Sequence, residues 1–86
     1  MEYVLAVFTL RTDTMQFNSF LLRNRIKSTV VETPKSASAS CGISVKFAYK
    51  DFAVVKRIMP ASGTKSFVRF YLLNGRFGSQ ILTPIK

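Results

Sequence analysis

Ile43-Ser44-Val45-Lys46-Phe47-Ala48, followed at once by Tyr49-Lys50-Asp51-Phe52-Ala53-Val54-Val55-Lys56-Arg57-Ile58-Met59-Pro60, carries the change of period that decides the fold. In the first six residues Ile43, Val45 and Phe47 alternate with Ser44, Lys46 and Ala48, the period of two that belongs to a half-buried strand. From Lys50-Asp51 onward Phe52, Val55, Ile58 and Met59 recur at helical spacing, which predicts a helix with one apolar face. Pro60 stops it, because proline lacks the amide donor and its ring crowds the preceding turn.

The same reading extends toward the N-terminus. Tyr3 to Leu10 is rich in Val, Leu, Phe and Tyr, as expected of a strand buried on both faces and central in its sheet. Thr12-Asp13-Thr14 supplies N-cap candidates for a helix of about three turns, with Phe17, Phe20 and Leu21 as its apolar stripe and Asn24 near its end. Arg23 and Arg25 suit the negative pole of that helix, and Asn24 or a neighbour can take the left-handed cap. Thr29 to Thr33 reads as a short strand ended by Pro34. Lys35 to Ser40, small and polar, reads as a loop.

Toward the C-terminus, Ser62-Gly63-Thr64 turns the chain into a strand built on Phe67, Val68, Phe70 and Leu72. Asn74-Gly75 is a strong hairpin signal, and it places Arg76 to Thr83 as a fifth, edge strand ended by Pro84. The resulting order is an α+β, ferredoxin-like β-α-β-β-α-β antiparallel sheet with two helices on one face, plus a C-terminal hairpin strand. The other face is expected to be free for solvent, a ligand or a second subunit.

Composition narrows the function classes. At 86 residues the chain is expected to form a single domain, residues 1–86, with a thin core that a dimer contact or a partner would reinforce. The apolar content of 48% excludes a disordered composition, while the longest apolar runs are far short of the roughly 20 residues that cross a bilayer. Glu2, Arg11 and Asp13 do not fit a signal peptide, so a cytoplasmic protein without membrane attachment is expected. One cysteine and no histidine leave no internal disulfide, no Cys–His catalytic pair and no zinc site within one chain, and no cofactor is expected. The net charge of +9 attracts nucleic acid, acidic lipid headgroups and acidic protein faces alike.

The one cysteine, Cys41, stands in a stretch of Ser, Ala and Gly where nothing bulky shields a sulfur. The thiolate is the reactive form, and cations or hydroxyl donors favour it. Lys35 and Lys46 flank the stretch, Ser38 and Ser40 carry hydroxyls, and Gly42 lets backbone approach a partner closely. The alternative is that Cys41 behaves as a small buried hydrophobe.

From Thr33 the pattern Thr33-Pro34-Lys35-x-x-Ser38-x-Ser40-Cys41-Gly42-Ile43-x-Val45-Lys46-Phe47 resembles the signature of the selenium/sulfur carrier-like family of small bacterial proteins. The resemblance covers roughly residues 3 to 73, leaving 74–86 as a C-terminal extension, and Ala37 stands where a larger apolar residue is usual. It implies that Cys41 carries a persulfide or perselenide, loaded by a cysteine desulfurase-type donor and collected by an acceptor protein. Lys35, Ser38, Ser40 and Gly42 match motif positions as residues that shape the loop or stabilise an anion. Such a protein is a carrier, at most an accessory sulfurtransferase, rather than a self-contained enzyme.

Two other readings stand beside it. Lys46-Phe47-Ala48-Tyr49 and Arg69-Phe70-Tyr71 interleave cations with aromatics, as RNA-binding sheets do, although Phe47 and Phe70 read more readily as core. A plain interaction module with a structural Cys41 is the other, with the fifth strand offering an edge for a homodimer.

Overall fold

A computed structural model describes residues 2–34, 42–76 and 79–85, and the side chains of these apart from 75, 76 and 79–81. Strand β1 (Tyr3–Phe8) leads into helix α1 (Arg11–Arg23) and strand β2 (Ser28–Glu32). Strand β3 (Ile43–Ala48), helix α2 (Phe52–Ile58), strand β4 (Phe67–Arg76) and strand β5 (Ser79–Ile85) follow. All five strands form one sheet in the order β2-β3-β1-β4-β5, and every neighbouring pair is antiparallel.

β1 is central, as its uninterrupted apolar run requires: Val4 to Phe8 are all buried. Its alternate residues serve two faces. Val4, Ala6 and Phe8 join Val45, Phe47 and Phe70 from neighbouring strands, and both helices close over them with Phe17, Phe20, Leu21 and Val55. Phe8 anchors this face, its ring 5.2 Å from Phe17 and 5.6 Å from Phe67. Phe47 and Phe70 meet edge to face at 6.2 Å, so both rings are core and unavailable for stacking on bases.

The opposite face is not the open platform that the element order suggests. Leu5, Val7, Tyr71 and Leu73 are buried there, with Tyr3, Val31 and Leu82 packed against them. β1 thus supplies both clusters. A five-strand sheet with two apolar faces at its centre removes more apolar surface from water than a single-faced one, which counters the thinness expected of a short chain.

Local chemistry departs from the sequence reading at three places. First, α1 has Leu10 as its N-cap, with no side-chain cap from Thr12, Asp13 or Thr14. The segment before β4 instead holds the chain just ahead of the first turn: Ser66 Oγ accepts from the Leu10 amide at 3.1 Å and Ser66 O from the Thr9 amide at 3.0 Å. Asp13 Oδ2 in turn accepts from the amides of Lys65 at 3.1 Å and Ser66 at 2.8 Å. Second, a 3-10 turn at Tyr49–Asp51 precedes α2, and another at Met59–Ser62 follows it, so Pro60 lies in the second turn rather than at the helix end.

Third, Asn74-Gly75 is not the hairpin turn. β4 continues through it, pairing Asn74 with Ile81, Gly75 with Gln80 and Arg76 with Ser79, and β5 runs past Pro84 to Ile85. The physical reason is register. Reversal at Asn74-Gly75 would set Arg76 opposite Leu73 and Ser79 opposite Phe70. The observed register sets Leu82 opposite Leu73 and Ile85 opposite Phe70 instead. Apolar pairing on both faces outweighs a local turn preference. Pro84 is tolerated because β5 is an edge strand.

Candidate functional site

The connection between β2 and β3 begins where their last pair, Glu32 with Ile43, ends. One rung further, the Thr33 amide donates to the Gly42 carbonyl at 2.9 Å. Thr33 Oγ1 also shares a hydrogen bond with Ser44 Oγ, and Ser44 is fully buried on the face that carries Val7 and Val31. The two ends of the connection are therefore fastened by a backbone rung and a hydroxyl pair.

Gly42 takes φ +78°, and a Cβ there would meet none of the described residues within 4 Å. The glycine is needed for its backbone conformation and not for space, because an L side chain pays about 1–2 kcal/mol in the left-handed region. Lys35, Ser38, Ser40 and Cys41, the remainder of the candidate set except Lys46, lie outside the described residues. Lys46 lies along β3, with its Nζ 4.2 Å over the ring of Tyr3.

That position belongs to the far end of β3. Gly42 and Ile43 mark the end of the sheet where β1 passes into α1, since Val7 pairs with Ser44. Tyr3, Ser28 and Ala48 mark the other end, where β1 and β2 begin and β3 finishes. A six-residue strand separates the two by roughly 17 Å. At that second end lies an open groove of about 670 Å³, and its lining includes Arg25, Lys27, Lys46, Lys50 and a single carboxylate, Asp51.

Arg25, Lys27 and Lys50 were not singled out as a group by the sequence reading, which met thirteen cations spread along the chain. The signal that could have found them is positional. Arg25 and Lys27 lie on the short connection into β2, and Lys50 lies just beyond the end of β3, its antiparallel neighbour.

Asp13 is committed to the Lys65 and Ser66 amides, and those hydrogen bonds, with the Ser66 hydroxyl foremost, hold its carboxyl below the ordinary value of 3.8. Among the described residues no three metal-ligating side chains stand together, and no helix is long and apolar enough to cross a membrane.

The described residues thus form a small α+β protein with one antiparallel sheet and a connection between β2 and β3 whose two ends are fastened to each other. Residues 3–66 match the family described as "Putative Se/S carrier protein-like", and the chain belongs to that family. The match runs from the first residue of β1 to Ser66, which pins the start of α1. No curated protein and no solved structure matches the chain.

Proposed function

We propose that this protein is a sulfur or selenium carrier that holds a persulfide or perselenide on Cys41 between a donor and an acceptor protein. Membership of the Se/S carrier-like family is the observation that carries the reading. The fastened neck formed by Thr33, Gly42 and Ser44 supports it, because it fixes both ends of the Cys41 connection to a buried sheet.

In the loading step the Cys41 thiolate attacks the outer sulfur of a donor persulfide. A new S–S bond forms and the donor's S–S bond breaks. The electron pair leaves with the donor's inner sulfur, which departs as a thiolate, and Cys41 keeps the –SSH group with its proton. No net oxidation or reduction occurs. The donor is of the cysteine desulfurase type, and an acceptor nucleophile repeats the exchange to unload the carrier.

The chain has no histidine to act as base, so a partner supplies proton transfer. Lys35, Ser38 and Ser40 are assigned to stabilising the thiolate, and Gly42 to shaping the connection. The strand order is read as a ferredoxin-like arrangement with β5 added beside β4, and residues 1–86 as one domain. The N-terminal end of α1, the positive pole of a thirteen-residue helix, lies at the same end of the sheet as the neck.

The alkylation rate of Cys41 as a function of pH tests the chemical premise. The reading expects a thiol titrating below the ordinary value near 8.5. A thiol that resists alkylation until the protein is unfolded contradicts it.

A further inference from the structure

We infer that the groove at the end of the sheet where β1 and β2 begin and β3 finishes seats the sugar–phosphate backbone of a single-stranded nucleic acid. The inference does not rest on the carrier reading.

Four cations come together there from separate parts of the chain. Arg25 and Lys27 lie between α1 and β2, Lys46 on β3, and Lys50 in the 3-10 turn before α2. Asp51 is the one carboxylate in the lining. Arg25, Lys27 and Lys50 are exposed. Lys46 Nζ lies over the half-buried ring of Tyr3. A positively charged groove that can track the backbone is the electrostatic half of the way proteins hold single strands.

The conformation of Arg25 is an independent observation. It is the only non-glycine residue with positive φ, +62°, among the described residues. The local cause is the end of α1, where the Arg25 amide donates to Leu22 O and the Ile26 amide to Leu21 O at 2.9 Å. This closing motif ordinarily places glycine or asparagine at the left-handed position. An arginine there is costlier than glycine, and its side chain lines the groove. Strain of this kind is characteristic of functional positions.

Lack of an apolar anchor favours a nucleic acid over an acidic peptide. Protein interfaces concentrate their affinity in aromatic or apolar side chains buried at a centre depleted of charge. This groove is dense in charge, and of its two rings Phe47 is 1% exposed and already packed beneath the helices, while Tyr3 is half-buried with Lys46 over its face. Phosphate binding needs only the cations.

The test is fluorescence anisotropy of the full-length protein with a labelled single-stranded RNA of mixed sequence, titrated with salt. Binding should weaken with salt by a slope of about −0.7 for each phosphate engaged. Lys27→Ala/Lys50→Ala should weaken affinity about tenfold at low salt and make the slope shallower by about 1.4. Arg25→Asn, which tolerates the left-handed conformation, should weaken it further. Arg57→Ala/Lys65→Ala removes the same charge from exposed positions outside the groove and should leave most of the binding intact. Thermal unfolding of each variant confirms that it folds. Equal losses in the two double variants would overturn the proposal, since binding would then follow net charge alone. Tighter binding of an acidic peptide of equal charge would overturn it in favour of a protein partner.

Discussion

Thr33 and Gly42 stand opposite one another with the Thr33 amide 2.9 Å from the Gly42 carbonyl, so the chain that carries Cys41 leaves and re-enters the sheet at one rung. Gly42 holds φ +78° there with none of the described residues near its Cβ position, and Gly63 holds φ +79° against the Gln16 side chain. The two glycines therefore separate conformational strain from crowding. Gly42→Ala should cost about 1–2 kcal/mol, the left-handed penalty alone. Gly63→Ala should cost more, about 2–3 kcal/mol. Its Cβ would lie 2.9 Å from Gln16 Nε2 and would disturb the 2.7 Å bond from that atom to Ser62 O. Urea unfolding of both variants measures the order.

The clasp between Asp13 and the Lys65 and Ser66 amides makes stability depend on acid. Its folded carboxyl titrates below the unfolded value, so the clasp contributes fully above pH about 4. That contribution is lost as pH falls through the lower, folded value, because the unfolded state then binds the proton more readily. Asp13→Asn should be less stable than the wild type at pH 7, and the difference between them should shrink below pH 4. Thermal midpoints across pH 2–7 supply the measurement, and a difference independent of pH would contradict the assignment.

Phe8 is fully buried and in ring contact with Phe17 and Phe67, joining β1, α1 and β4. Phe8→Ala should cost about 3–5 kcal/mol, a large share of the stability of a small domain. Leu22, 52% exposed on α1, should change stability by less than about 0.5 kcal/mol when replaced by Ala. Denaturant midpoints decide between them.

Much of the fold was legible because the decisive signals are local. Ile43, Val45 and Phe47 alternate with polar residues as β3 does, and Phe17, Phe20 and Leu21 mark the buried stripe of α1. What failed was governed by distant partners. Asn74-Gly75 has the dipeptide of a tight turn, yet the pairing of Leu73 with Leu82 and Phe70 with Ile85 carries β4 beyond it. The amide of Leu10, the N-cap residue of α1, is held by Ser66, far away in sequence, which no local motif could reveal. The second apolar face was hidden for a similar reason: Leu5, Val7, Tyr71 and Leu73 become a cluster only once β1 and β4 are neighbours. At the candidate site, the residue pattern from Thr33 to Phe47 sufficed to point to the family. The basic groove required the chain to be folded, because Arg25, Lys27, Lys46 and Lys50 form no run in the sequence.

Loading of Cys41 tests the carrier reading most directly. The protein is incubated with a cysteine desulfurase and sulfur-labelled cysteine, then separated from the donor and examined by intact-mass and peptide mass spectrometry. The account predicts one added labelled sulfur on Cys41, removable by a thiol reductant and absent in Cys41→Ser. Failure of Cys41 to acquire sulfur while the desulfurase is turning over, or equal labelling of the Cys41→Ser variant, would contradict it.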